Sequence, residues 1–432
     1  MDDQLAQGSE PTAPETRARR RAEPADRVAV LGFARTPFGK FGGSLREATL
    51  PELSSAAVVA ALGRAGVAPD QVDQLVFGVN FPGSDRSIAR QILLRSGIPV
   101  DRNAYTVDRA CCSSLTALAA ASRSIRLAEA SLAVAGGVEN LSRVPYFLEG
   151  VRWGHRLGNL EMSDQLVISC PHTHEPRARQ ASREALEYGI DREAQDDWAL
   201  RSQERYAKAL AAGWPAEEIV PVAGTDGRGQ AFTVDHDEVP RPATTATALA
   251  ALPTIYGSET VTPGNAPDLS SGSAALVLAD PRAAGEHGRE VAATLRGFAA
   301  VSGEPRRIAS IPATAIRAAV DRVGLTLDQI DLIEVNEAFA AVPLVTTLIL
   351  ADGDERRAGA LRERTNVNGG SVAIGHPTGA TAARMVMTAI CELRRRGGGT
   401  AAVALCGGIG EGEAVIVEVD GDASRTMTPD SP

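Results

Sequence analysis

Two stretches of this chain are repeated later in the same order, and that duplication constrains the fold more than any other feature. Arg64-Ala-Gly-Val-Ala-Pro-Asp70-Gln-Val-Asp73 resembles Arg322-Val-Gly-Leu-Thr-Leu-Asp328-Gln-Ile-Asp331, and Val134-Ala-Gly-Gly-Val138 resembles Leu405-Cys-Gly-Gly-Ile409. Around them, short β-rich runs alternate with Ala-rich helical stretches, the pattern of α/β layering. Strands are expected at residues 28–33, 75–79, 132–135, 276–278, 332–335, 401–405 and 414–419. Helices are expected at 50–65, 113–130, 192–212, 311–323 and 379–396. Each half would carry an apolar sheet that needs cover on both faces, and packing the halves together supplies it. Residues 140–265 are rich in Pro, Arg and charge, interrupt the repeat, and read as an inserted loop domain. The expected boundaries are an N-terminal half over 27–285 and a C-terminal half over 286–420. Tails at 1–26 and 421–432 lack apolar periodicity and are expected to be disordered.

Composition removes several function classes. Lys and Arg number 44 against 54 Asp and Glu, a formal charge of −10 that disfavours binding to nucleic acid or anionic membrane. No apolar run is long enough to span a bilayer. Five cysteines in 432 residues are too few for a disulfide framework and read as free thiols in a reducing compartment, hence a cytoplasmic protein. The Arg17, Arg19, Arg20, Arg21 cluster sits in a tail that also carries Asp2, Asp3, Glu10, Glu15 and Glu23, unlike an acid-poor transit peptide.

The chemistry gathers at four places. In Val107-Asp-Arg-Ala-Cys111-Cys112-Ser-Ser-Leu-Thr-Ala117 a thiol sits at a strand-to-helix turn, where a helix N-terminus would lower its pKa. His376 lies in Asn366-Val-Asn-Gly-Gly-Ser-Val-Ala-Ile-Gly375-His-Pro-Thr-Gly379, a turn glycine-rich enough for close backbone approach and suited to a general base for a nearby thiol. Cys406 follows an apolar strand and opens Gly407-Gly-Ile-Gly-Glu-Gly412, whose backbone N–H groups can hold an oxyanion. The glycine spacing fails for a dinucleotide fingerprint, and a strand follows instead of a helix, so NAD and FAD are not expected. Asn336 ends a strand and reads either as a polar group orienting a water or carbonyl or as the cap of the next helix. Cys170-Pro-His172-Thr-His174 lacks the second ligand pair a zinc site needs. No metal is expected, and His174 reads as a substrate contact or a solvated loop residue.

Together these residues resemble the thiolase family over nearly the whole span from Val28 to Val419. Further matching elements are Arg35-Thr-Pro-Phe-Gly-Lys-Phe-Gly-Gly43, Ala89-Arg-Gln91, Gly136-Gly-Val-Glu-Asn-Leu-Ser142, Arg192-Glu-Ala-Gln-Asp196 and Asn336-Glu-Ala-Phe-Ala340. The resemblance implies a five-layered αβαβα fold of two duplicated halves with an inserted loop domain. It implies that Cys111 takes the acyl group and that His376 accepts the Cys111 proton. Asn336 (through a water) and His376 would form one oxyanion hole, and backbone N–H groups of Cys111 and Gly408 the other. Cys406 would exchange a proton with the carbon nucleophile, and Ala338, Phe339 and His174 would contact substrate. A Claisen condensation develops charge on two different oxygens, so two oxyanion holes and two proton-transfer groups meet its demands. The implied activity is thiolytic cleavage or Claisen condensation of 3-oxoacyl-CoA and acetyl-CoA thioesters in fatty acid metabolism. It needs no cofactor beyond its CoA substrates and is implied for a homodimer or homotetramer.

Departures from the family fall in the tunnel rather than the catalytic positions. Cys112 and Ser114 are tolerable variations. The family's His-Met-Gly-x-Thr-Ala-Glu-Asn stretch falls near Pro176-Arg-Ala-Arg-Gln-Ala-Ser-Arg183, and the usual Gly-Asn-Ala-Ser reads Gly264-Asn-Ala-Pro267. Arg177, Arg179 and Arg183 therefore either face solvent on a segment swung outward, the favoured expectation, or meet an anionic group on the substrate. The alternatives are a ketosynthase-like condensing enzyme using acyl carrier protein or non-standard acyl donors and, less favoured, a non-catalytic thiolase-like scaffold subunit.

Overall fold

The computed structural model describes residues 27–421 apart from 168, 227 and 287; the expected tails at 1–26 and from 422 onward lie outside the described residues. Its main sheet shows the duplication directly. From the centre outward the N-terminal strands run Val28–Arg35, Ser270–Ala279, Leu132–Asn140, Gln74–Gly78 and Asn103–Val107. The C-terminal strands run Ala293–Ser302, Glu411–Val419, Gly399–Cys406 and Leu332–Val335. In each half the first two pairings are antiparallel and the third is parallel. The first repeated segment closes a helix and leads into the equivalent strand in each half, at Gln74–Gly78 and Leu332–Val335. The second falls on equivalent strands but not equivalent positions, because Gly136 and Gly137 lie inside Leu132–Asn140 whereas Gly407 and Gly408 follow the end of Gly399–Cys406. Asn103–Val107 is an extra strand in the first half. Antiparallel pairing of Val28–Val30 with Ala293–Leu295 joins the halves into one continuous hydrogen-bonded sheet.

Three cores separate the layers. The middle core buries Leu115, Leu118, Met385, Val386 and Ile390 against Val30, Leu276, Val403 and Val417. Its helices, Ser113–Arg126 and Thr381–Arg395, therefore lie between strands of both halves. One outer core packs Leu53, Val58 and Leu62 of the helix Leu50–Arg64 on Leu31, Val134 and Val277. The other packs Ile316 and Val320 of Ile311–Arg322, with Val345 of Ala341–Leu350, on Ile333, Val335 and Ile416. The architecture is α/β with five layers, αβαβα. Strands covered on both faces need apolar residues throughout, and Val28–Arg35 and Leu132–Asn140 are buried along their whole length.

The halves meet backbone to backbone near the middle layer. A Cβ on Gly137 would lie 1.9 Å from the Gly379 carbonyl oxygen, so only glycine lets the turn after His376 settle on the strand Leu132–Asn140.

Between that strand and Ser270–Ala279 come two small hairpins and the helices Arg177–Glu187 and Arg192–Ala211. This segment is anchored by Arg35, almost fully buried, which donates to Asp237 at 2.7 and 2.9 Å and to Glu218 at 2.7 Å. Periodicity missed the helix Ala341–Leu350 because it is buried nearly all round and carries Pro343, so no amphipathic stripe marks it. The strand Asn103–Val107 escapes the pattern because, at the sheet edge, it has no buried residue and its exposed and half-buried positions do not alternate.

Candidate active site

Cys111 lies in a single 3₁₀ turn, Ala110–Cys112, between the strand Asn103–Val107 and the helix Ser113–Arg126. Asp108 shapes the entry by accepting from the Ala110 N–H at 3.0 Å, and Ala110 takes a left-handed φ of 48°. The turn splits the adjacent thiols. Cys111 is half-buried and open on one side, whereas Cys112 is fully buried in the middle core, its sulfur 3.8 Å from the Leu405 carbonyl oxygen.

His376 reaches Cys111 from the other half, with Nε2 3.2 Å from Sγ. Its tautomer follows from its second contact. Nδ1 lies 2.7 Å from Thr381 Oγ1, and the Thr381 hydroxyl donates its only hydrogen to the Pro377 carbonyl at 3.0 Å. Thr381 must therefore accept from Nδ1–H, which leaves the Nε2 lone pair facing the thiol. Burial, reinforced by the positive charge of Arg384, lowers the imidazole pKa to about 3. Burial and the neighbouring Cys406 push the Cys111 thiol well up, with Arg177 opposing them. The expected lowering at the helix start is not found, because the α-helix begins two residues later and desolvation outweighs what its dipole offers. Thiol and imidazole rest as a neutral pair.

Asn336 follows the strand Leu332–Val335, and the next helix starts only at Ala341, so it caps no helix. Its Oδ1 accepts from Ser371 Oγ at 2.7 Å, which turns Nδ2 toward His376 Nε2 at 3.4 Å. Arg384, buried in the helix Thr381–Arg395, donates to Ser371 Oγ at 3.4 Å. Glu337 locks the same loop in place: it accepts from Trp198, Ser202, Asn366 and the Val372 N–H at 2.8–3.0 Å.

Cys406 ends the strand Gly399–Cys406, is buried, and shares an apolar cluster with Ile308, Ile311, Val261, Ala178, Ala338 and Phe339. Burial and the Glu184 charge push its thiol up to about 11, while the Gly408 N–H donates to its sulfur. Gly408 takes φ +86°. Cys111, Asn336, His376, Cys406 and Gly408 thus converge, with Ala338 and Phe339 forming an apolar wall. His174 is not brought to this cluster: it sits on an exposed turn at φ +56°, held by its N–H to the Cys170 carbonyl. The three arginines divide. Arg179 is exposed and Arg183 pairs with Glu175 at 2.6 Å, but Arg177 turns inward over Gly408.

Sequence reasoning missed Thr381, Ser371, Glu139 and Glu337. Glu139 is buried and accepts from Asn80 N–H, Phe81 N–H, Gly379 N–H and Thr378 Oγ1 at 2.6–3.2 Å, pinning the turn that carries His376. The signal available was their place inside or just after the motifs, Glu139 in 136–142, Glu337 in 336–340, Ser371 in 366–379 and Thr381 two residues beyond it.

Comparison with known proteins agrees with this geometry. Models of the thiolase N-terminal and C-terminal domains match residues 28–282 and 289–419. The chain belongs to the thiolase family. This thiolase is 39 % identical over 409 residues to a beta-ketoadipyl-CoA thiolase of Acinetobacter baylyi, covering 90 % of this chain and 98 % of the relative. It is 36 % identical to an acetyl-CoA acetyltransferase of Chromobacterium violaceum, covering 90 % and 99 %. It superposes on human mitochondrial 3-ketoacyl-CoA thiolase with a TM-score of 0.86 at 36 % identity, covering 91 % and 99 % of the two chains. It is a thiolase-type acyltransferase, and these relatives do not favour the carrier-protein alternative. No helix among the described residues is long and apolar enough to cross a membrane.

Proposed function

We propose that this enzyme forms an acyl-Cys111 intermediate from a CoA thioester and exchanges it with the enolate of acetyl-CoA, in either direction. The observation that carries this reading is the 3.2 Å contact between Cys111 Sγ and the unprotonated Nε2 of His376, beside a second thiol, Cys406. In the synthetic direction His376 takes the Cys111 proton as sulfur attacks the acyl carbonyl. The tetrahedral oxyanion would lie against the N–H groups of Cys111 and Gly408. Collapse expels CoA thiolate, which takes the proton of Cys406 and leaves as CoA–SH. The Cys406 thiolate then removes an α-proton from bound acetyl-CoA. The enolate oxygen faces the imidazolium Nε2–H and, through a water, Asn336 Nδ2. The enolate carbon attacks the acyl-cysteine, Cys111 leaves as thiolate, and His376 returns its proton. Both thiols and the imidazole end as they began.

The reading extends to a cytoplasmic homodimer or homotetramer that works in fatty acid or related acyl-CoA metabolism, with the two halves 27–285 and 286–420 as structural units. Acetyl-CoA and 3-oxoacyl-CoA are the substrates favoured by the names of the relatives. The test is intact-protein mass spectrometry after brief exposure to acetyl-CoA. One acetyl group on the peptide containing Cys111, absent in Cys111→Ala, supports the assignment, and an adduct on Cys112 overturns it.

A further inference from the structure

Arg177 is an electrostatic misfit in the cleft just described. It opens the eleven-residue helix Arg177–Glu187, where the positive end of the helix dipole disfavours a cation. A Cβ built on Gly408 would stand 3.7 Å from its Nη2 and 3.9 Å from Cζ and Nε, so the guanidinium lies over the loop that follows Cys406. Its charge is felt by the sulfurs of Cys111 and Cys406, which places it at the reacting end of the cleft.

The side chain is held there rather than drifting. Nη1 donates to Gln180 Oε1 at 3.1 Å, and buried Gln180 is oriented by donating Nε2 to Thr173 Oγ1 at 2.5 Å. A neutral amide oxygen takes one of five guanidinium N–H donors and cancels no charge.

No carboxylate among the described residues forms an ion pair with Arg177. The acidic side chains nearest the cleft are already committed. Glu184 accepts from the N–H groups of Ile308, Ala309 and Ser310, and Glu139 from the four donors around the His376 turn. The Cys170 thiol also feels Arg177 and is lowered to about 6, against the effect of burial, by hydrogen bonds from Thr173 and His172, but among the described residues it makes no hydrogen bond to the guanidinium. A half-buried cation with open donors beside two reactive thiols therefore awaits an anion from the substrate. That anion belongs to the acyl group, because the phosphates of CoA are held away from the thioester by the length of the pantetheine arm.

We propose that Arg177 is a specificity-determining residue and that the acyl group this thiolase transfers carries a carboxylate. The inference rests on the reading that Cys111 is acylated in this cleft, and the test separates the two. Succinyl-CoA and butyryl-CoA have acyl chains of equal length and differ in the terminal carboxylate. Each is titrated calorimetrically into Cys111→Ala, which cannot be acylated there. Succinyl-CoA is expected to bind ~10- to ~100-fold tighter, the scale of a charge-assisted contact. Adding Arg177→Met should bring the ratio of affinities close to one, and Arg177→Gln should do the same if the methionine variant folds poorly. Equal affinities in the Arg177 protein, or a preference that survives both substitutions, overturns the proposal. In the protein with Cys111 intact, Arg177→Met slowing acylation equally from both donors would also overturn it, by making the charge general rather than selective. Failure of any donor to acylate Cys111 counts against the nucleophile assignment alone, since the binding ratio still decides the role of Arg177.

Discussion

Replacing Thr381 with Val is the sharpest test of how the catalytic pair is set. Valine keeps the shape and removes one oxygen, the only acceptor for His376 Nδ1–H among the described residues, 2.7 Å away. His376 is only 8 % exposed, so water has little room to replace that acceptor. Leaving a buried N–H unsatisfied costs about 1–3 kcal/mol. The imidazole escapes that cost by moving its proton to Nε2, and then it can no longer accept from Cys111. Either route raises the acylation barrier by a similar amount, which corresponds to a ~5- to ~150-fold slower acylation step. Rapid-quench mass spectrometry of the Cys111 adduct measures that step before turnover complicates it. Thr381→Ser keeps the hydroxyl and should recover most of the rate, although it loses a buried methyl. A Thr381→Val enzyme that acylates within about twofold of the parent would refute the tautomer argument. So would a serine variant as slow as the valine one, because the loss would then come from packing at the start of the helix.

Four further outcomes follow from the geometry. Cys112→Ala should still acylate Cys111 but melt earlier, with about 1–2 kcal/mol lost from the middle core, measured by thermal unfolding. Cys406→Ser should depress α-proton exchange of acetyl-CoA far more than acyl transfer to Cys111, read by deuterium wash-out against adduct formation; equal losses would make Cys406 structural. Glu139→Gln sets an NH₂ group against a carboxylate site filled wholly by donors, and should cost about 1–3 kcal/mol of stability and slow acylation through the His376 turn. With the His376 pKa lowered to about 3 from 6.5, the unfolded chain binds the extra proton first as pH falls. Its contribution to stability is therefore complete above pH 6.5 and lost progressively down to about 3, about 2 kcal/mol of it by pH 5. His376→Gln should flatten that slope in chemical denaturation, and acylation by the parent enzyme should show no acidic limb near pH 6.5.

Local pattern carried the architecture because local pattern is what layering demands. Strands covered on both faces must be apolar throughout, and the duplicated Xaa-Gly helix ends in 64–73 and 322–331 mark the same corner twice, so two halves of like topology were legible; the likeness of 134–138 to 405–409 falls on equivalent strands, but Gly136 and Gly137 lie inside theirs and Gly407 and Gly408 beyond theirs. Cys111, His376, Asn336 and Cys406 were legible as well, since each sits at a strand end or a glycine-rich turn whose motif survives without its neighbours. What the motifs could not carry were properties set by surroundings. Cys111 and Cys112 are adjacent in the chain, and only the 3₁₀ turn sends one sulfur to the cleft and the other into the core. The Cys111 thiol is pushed up rather than down because burial beside Cys406, contributed from the far half of the chain, outweighs the helix terminus. Thr381 acts on His376 through a hydroxyl whose direction depends on the Pro377 carbonyl, and Glu139 reaches Thr378 and Gly379 of the same turn from 239 and 240 residues earlier in the chain. Arg177 read as one of three surface arginines until the loop carrying Gly408 was folded beneath it. Residue type and spacing determine which elements form and which groups can react; desolvation, proton direction and unmatched charge are sums over neighbours that only the folded chain brings within reach.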